Sequence, residues 1–315
     1  MTKEEFKELT RNPVLLDGAV GSNMLAAGMP RGICTEKWLT EHIDLLQRLQ
    51  TEYLDAGAQI LYAPTFGANR ISLNSHGLGD EVKEINQTLV RAAKEITEGR
   101  AYVAGDVTTT GKILGFDDDY EYTDAYDNYC EQISLQVEAG ADLIVIETMI
   151  SFTETTAAID ACSSVCDLPV MVTLSVSADG GIFYGGNAIR LASDLEAAGI
   201  DAVGINCSVG PSQLDSVVRN IASAVDIPVI AKPNAGLPTI DMEGHAHYDL
   251  TPEAFAEQTM VLYENGAQIL GGCCGTRPDH LRALNELLRA GGNGSERSRK
   301  MQDTHLKIRG KGQLR

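Results

Sequence analysis

Short apolar, β-branched runs recur down the chain, at Val14–Val20, Ile60–Phe66, Ala101–Val107, Asp142–Thr148, Pro169–Val176, Ala202–Ser208, Pro228–Ala235 and Gln268–Cys274. None alternates strictly between apolar and polar residues; they read as near-continuous apolar runs, the pattern of strands buried on both faces. Between most of them apolar positions return at helical spacing, over Asp44–Ala56, Asp80–Thr97, Asp124–Ala139, Glu154–Val165, Ile189–Ala198, Ser212–Ala224 and Pro252–Asn265. Four strands follow a glycine at a helix end, in Ala56-Gly57-Ala58, Ala139-Gly140-Ala141, Ala198-Gly199-Ile200 and Asn265-Gly266-Ala267, and glycine is the usual C-terminal cap. Strand alternating with helix predicts a parallel sheet. Eight such units in roughly 280 residues fit an α/β fold of the (β/α)8 TIM barrel type, whose typical size is about 250 residues. The expected organisation is one barrel domain over residues 1–290 and a flexible tail over 291–315. A doubly wound open sheet is the alternative, but the first turn, Asp17-Gly-Ala-Val-Gly-Ser22, lacks the dinucleotide-binding spacing.

Charge and composition narrow the function classes. A formal net charge of −19 argues against a nucleic-acid binder, which needs a basic face. Only the last segment is basic, with Arg297, Arg299, Lys300, Lys307, Arg309, Lys311 and Arg315 against Glu296 and Asp303; it reads as a solvated tail. No run of 18 apolar residues occurs and the first residues carry no apolar signal core, so a cytoplasmic protein without a membrane partner is expected. Seven cysteines without a regular framework predict thiols kept reduced.

The polar residues at the strand ends are the informative ones. A barrel carries its chemistry at the C-terminal ends of its strands, and the runs above end in Asp17, Thr65, Asp106, Glu147, Ser175, Cys207, Asn234 and Cys273-Cys274. Each such group buried without a partner would cost about 1–3 kcal/mol, so the set reads as one site. Cys207, Cys273 and Cys274 can hold a zinc ion with the fourth position open, which is the catalytic rather than the structural arrangement. A substrate thiol, mostly protonated when free at neutral pH, would be ionised on entering that position. An all-sulfur ligand set keeps the entering sulfur electron-rich and suits alkyl transfer to a thiol better than hydrolysis. Cys34, Cys130, Cys162 and Cys166 read as small buried hydrophobes.

Seven stretches together resemble one family: Leu16-Asp17-Gly-Ala-Val-Gly-Ser22, Thr65-Phe-Gly-Ala-Asn69, Gly105-Asp106, Glu147-Thr148, Gly204-Ile-Asn-Cys207, Pro233-Asn-Ala-Gly-Leu-Pro238 and Gly271-Gly-Cys-Cys-Gly-Thr276. In order and spacing, from about Leu15 to about Leu288, they look like the homocysteine S-methyltransferase family, and in particular the homocysteine-binding barrel of cobalamin-dependent methionine synthases. The resemblance implies zinc on Cys207, Cys273 and Cys274, with homocysteine sulfur as the fourth ligand and methionine as the product. It implies that Asp17 and Glu147 accept the substrate ammonium and that the backbone around Gly18 and Thr65 cradles the carboxylate. Asn234 is expected to hydrogen-bond nearby. The family usually has threonine where Ser22 stands.

The methyl donor is not written in these residues. No Asp-x-His-x-x-Gly signature of a cobalamin module occurs, so a methyl-corrinoid is expected on a separate partner protein, within one-carbon metabolism. S-methylmethionine or betaine as donor, another thiol as acceptor, and a non-catalytic zinc-binding barrel are the alternatives.

Overall fold

The computed structural model describes residues 1–184, 186–241 and 246–292. It places eight parallel strands in one sheet: β1 (Val14–Leu15), β2 (Ile60–Tyr62), β3 (Tyr102–Val107), β4 (Leu143–Met149), β5 (Val170–Leu174), β6 (Ala202–Asn206), β7 (Val229–Lys232) and β10 (Ala267–Leu270). Neighbours in space are neighbours in sequence from β2 to β7; β10 then joins β7 to β1. The bridge between Leu16 and Ile60, with the Gln59 N–H on the Leu15 carbonyl at 2.7 Å, closes β1 onto β2. The sheet is therefore a barrel, as the alternating pattern predicts, and not an open doubly wound sheet.

Most of the apolar runs outlast their strands. Six strands end two to five residues before their runs do, because the last residues turn inward or into a loop instead of pairing; β3 ends with its run and β4 one residue beyond it. The long helices α4 (Ile43–Ala56), α6 (Val82–Thr97), α7 (Tyr122–Glu138), α8 (Phe152–Val165), α9 (Ala188–Ala197), α10 (Asp215–Ala224) and α11 (Pro252–Glu264) lie close to their predicted positions, and α12 (Pro278–Gly292) completes the ring. Along α6 the buried residues Val82, Ile85, Asn86, Leu89, Val90 and Ala93 repeat every three or four positions, forming the stripe that faces the strands. Gly57, Gly140, Gly199 and Gly266 all have positive φ, which is why glycine recurs there.

Helix α1 (Lys3–Leu9) was not expected. Its Thr2…Glu5 capping box is a readable start signal, but one fully buried anchor, with Leu9 only partly buried, makes no long stripe. Phe6 is that anchor: it joins Val14, Leu16, Ile60, Leu143, Val145, Met171, Ile230 and Ile269 inside the barrel. Lys3 pairs with Asp201 at 3.2 Å, just ahead of β6, so α1 plugs the N-terminal mouth. Short elements in the opposite loops were also unforeseen: α2 (Gly21–Ala26), α3 (Thr35–Glu41), α5 (Arg70–Asn74) and the hairpin of β8 (Thr239–Ile240) with β9 (Ala246–His247). The segment expected as a tail is helical through Gly292 and from residue 293 lies outside the described residues. Cys34 and Cys162 are buried and Cys130 and Cys166 half-buried.

Candidate active site

Inside the barrel, side chains two apart on one strand share a face. Leu143 and Val145 line the interior, as do Ala104, Ala202 and Ile230. One step toward the C-terminal end, the same faces carry Glu147, Asp106, Gly204 followed by Asn206, and Lys232. The apolar interior thus gives way to a polar layer at the C-terminal mouth. Asp17, Asp106, Glu147, Asn206 and Lys232 are all buried there.

Above this layer the three predicted cysteines meet. Their sulfurs all lie within 4.8 Å of one another, and Cys207 Sγ is 3.4 Å from Cys274 Sγ. Three ligands at a Zn–S distance of about 2.3 Å in a tetrahedral site would sit about 3.8 Å apart, so spacing and donor type both fit zinc. The thiols cannot all ionise in so small a space. Cys274 takes the charge: hydrogen bonds from Cys207 and Cys273, helped by Tyr248, bring it down to about 3. Cys273 is pushed up by its bonds to Cys207 and Cys274 and by burial.

The backbone that aims these sulfurs is tightly held. Cys207 follows β6 in a left-handed conformation, φ 53°, which a non-glycine residue adopts at a cost of order 1–3 kcal/mol. Its N–H bonds the Lys232 carbonyl at 3.2 Å and its carbonyl accepts from Asn234 Nδ2 at 3.0 Å. The Cys273 N–H bonds the Pro233 carbonyl at 2.7 Å, and the Cys274 carbonyl accepts from Ala235 N–H at 2.9 Å. Gly275 has φ 80°, and a Cβ there would run into the Tyr248 ring. The first turn is tied to the same hub, since Gly272 N–H bonds the Asp17 carbonyl at 3.1 Å and Ala19 N–H bonds Thr276 Oγ1 at 3.1 Å. Gly18 packs so closely on Tyr53 and Thr276 that a Cβ would lie 2.6 Å from the Tyr53 hydroxyl. Ser22 Oγ accepts the Gly275 N–H at 3.2 Å.

The largest feature that the sequence reading missed is Lys232. Its ammonium lies 3.3 Å from Asp17 Oδ1 and 3.9 Å from Glu147 Oε2, and 4.0 Å from the centre of the Tyr62 ring. Asp17 also accepts the Tyr62 N–H through Oδ2 at 2.8 Å. Burial opposes the lysine charge, but Asp17 and Glu147 outweigh it and hold the pKa well above the usual range. Burial pushes Asp17 up while Lys232 pulls it back. Asp106 is raised by burial and further by the Glu147 charge; Glu147 is raised by burial against the pull of Lys232. The signal was the end of the run Val229-Ile-Ala-Lys232, where an inward register puts the fourth residue on the face of Ile230. Asn206 was likewise passed over: its amide donates to Glu147 Oε2 at 3.1 Å and to Thr148 Oγ1 at 2.7 Å.

Thr65 stands apart from this cluster. Its hydroxyl donates to the Asp106 carbonyl at 2.8 Å and accepts from Gln136 Nε2 on α7 at 3.0 Å, and its N–H goes to the Ala63 carbonyl at 2.7 Å. Ser175 sits at the edge, its N–H on the Met149 carbonyl at 2.9 Å.

A family model described as homocysteine S-methyltransferase matches residues 14–288. The methionine synthase of Mycobacterium leprae is 30% identical over 299 residues, covering 89% of this chain and 24% of that protein. The methionine synthase of Mycobacterium tuberculosis is 29% identical over 296 residues, covering 88% and 24%. The chain thus spans 24% of the length of these curated relatives. The homocysteine methyltransferase MmuM from Escherichia coli shares the fold: its oxidized and metallated forms each superpose with a TM-score of 0.73, at 21% and 20% identity, covering 87% of this chain and 95% and 96% of theirs. No helix among the described residues is long and apolar enough to cross a membrane.

Proposed function

We propose, on the premise that the chain belongs to the homocysteine S-methyltransferase family, that it methylates the sulfur of homocysteine to give methionine, using zinc on Cys207, Cys273 and Cys274. The observation that carries this is the adjacency of two unlike clusters: three convergent thiols, and beneath them a buried set of carboxylates. An amino-acid thiol offers sulfur to the first and ammonium to the second. Zinc held by the three cysteines would supply the positive charge that keeps an entering thiol ionised at neutral pH.

The chain's own residues do the rest. Glu147, oriented by Asn206, faces the ammonium, with Asp17 behind it held by Lys232. The turn at Gly18 brings backbone N–H groups close to the carboxylate end, and Thr65 fixes the loop after β2 against β3. Asn234 holds the Cys207 carbonyl and so the left-handed turn that aims Cys207. Holding sulfur and ammonium at once fixes the thiol in one orientation, which is the main contribution a protein can make to an in-line displacement. The methyl group is supplied by a methyl-corrinoid; the support for this is the likeness to methionine synthases.

Metal analysis and X-ray absorption of the reduced protein test the acceptor side. Stoichiometric zinc with three sulfur ligands, rising to four on adding homocysteine, is expected; Cys207→Ala or Cys273→Ala should lose the metal. Zinc that gains no sulfur from homocysteine would sink the acceptor assignment. Product formation from a methyl-corrinoid, S-methylmethionine and betaine in parallel then identifies the donor, and transfer from either small donor alone would overturn the corrinoid.

A further inference from the structure

Three buried carboxylates, Asp17, Asp106 and Glu147, share one buried ammonium among the described residues, that of Lys232. The lysine is committed to one side of the cluster. It is closest to Asp17, at 3.3 Å, and more distant from Glu147, at 3.9 Å. Asp106 lies on β3, paired beside β4, which carries Glu147, and the Glu147 charge acts on it. Besides Asp17 Oδ1, which faces Lys232, the acceptors Asp106 Oδ1, Asn234 Oδ1 and the Tyr62 hydroxyl oxygen have no hydrogen-bond partner among the described residues. Asp106, Asn234 and Tyr62 are 3%, 4% and 3% exposed. An unsatisfied buried acceptor next to surplus negative charge is costly, and a small positively charged group carrying several N–H donors would answer that of Asp106.

We propose that Asp106 is a further specificity-determining residue, which shares with Glu147 the α-ammonium of the thiol substrate while Lys232 neutralises Asp17. The inference rests on the function proposed above and deepens it, since it makes the pocket selective for thiols that carry an ammonium. The Asp106 backbone serves a separate purpose: its N–H and carbonyl bond Thr65 Oγ1 at 3.2 and 2.8 Å, and the carbonyl accepts from Gln136 at 3.0 Å. A change in the side chain leaves these links between β2, β3 and α7 in place.

Calorimetric titration of the reduced, zinc-loaded protein with homocysteine and with 4-mercaptobutanoate, its analogue without the amino group, tests this. In wild type, homocysteine should bind at least about tenfold more tightly, the scale of one charge-assisted hydrogen bond. Asp106→Asn should remove most of that preference by weakening homocysteine while 4-mercaptobutanoate and zinc stoichiometry stay unchanged. Asp106→Ser, which is smaller, should do the same if the amide disturbs packing. Equal weakening of both thiols, or no weakening of homocysteine, overturns the role of Asp106 alone. A wild-type protein that takes neither thiol at its metal overturns the proposed function as well, so the two failures are distinguishable.

Discussion

Lys232 and Asp17, at the ends of strands that do not pair with each other, form an ion pair of 3.3 Å with both side chains almost wholly buried. The pair joins the first turn of the barrel to the seventh strand, directly beneath the thiols. Neither charge has water to fall back on. The lysine is held charged by Asp17 and Glu147, while burial pushes the Asp17 carboxyl up and the lysine is the main pull against that rise.

Lys232→Met should therefore destabilise the protein by about 3–5 kcal/mol, because it leaves Asp17 buried and uncompensated. Adding Asp17→Asn to that variant should recover most of the loss, since both charges are then gone. Denaturant unfolding of the two single variants and the double gives the coupling; simple additivity would show that the pair does not act as a unit.

Asp106→Asn should make the substrate-free protein more stable at neutral pH. Burial and then Glu147 raise the folded-state pKa of Asp106 above its ordinary value of 3.8. A carboxyl raised in this way favours folding fully only below the unfolded pKa, and that contribution is lost as pH rises through the folded value. The amide mimics the protonated state at every pH. Its advantage should be absent near pH 3, grow as pH rises beyond the ordinary carboxylate range, and then level off. Unfolding curves for both proteins across that range check it; an advantage that is constant with pH would contradict the burial argument.

Gly275→Ala should weaken the metal site more than the fold. The residue needs φ 80°, and its Cβ would push on Tyr248, whose hydroxyl supports Cys274. Competition with a chromophoric chelator should show lower zinc affinity while far-ultraviolet dichroism is unchanged. Undiminished affinity would mean that Tyr248 yields freely.

Glu154→Ala tests the loop that borders the mouth between β3 and α7. Glu154 is buried and accepts from Thr109 Oγ1 at 2.7 Å, from Thr110 N–H and Oγ1 at 2.8 Å, and from the Tyr129 hydroxyl at 3.0 Å. Truncation strands these donors at about 1–3 kcal/mol for each buried one. Hydrogen exchange should show residues 108–111 opening first, with the strands still protected.

The order of strands and helices was legible in the chain because burial on both faces writes continuous apolar runs and burial on one face writes a helical stripe. The glycine caps were legible for a related reason, since positive φ admits few other residues. The site was legible only in part. Cysteines at the ends of apolar runs announce themselves, because nothing in packing asks for thiols at those positions. Lys232 does not: a lysine that closes a strand reads as the point where the chain meets solvent, and lysine is almost never fully buried unless paired. Its partner lies 215 residues earlier in the chain, and no local pattern records that distance.

The sequence by itself thus determined the alternation of elements and supplied three thiols at strand ends. Only closure of the barrel decided that Cys207 lies 3.4 Å from Cys274 across 67 residues, and that Lys232 faces Asp17 rather than water. The reason is geometric: strand period sets which way a side chain points, but which side chains it meets depends on the strand that pairs beside it and on the closing of β1 onto β2.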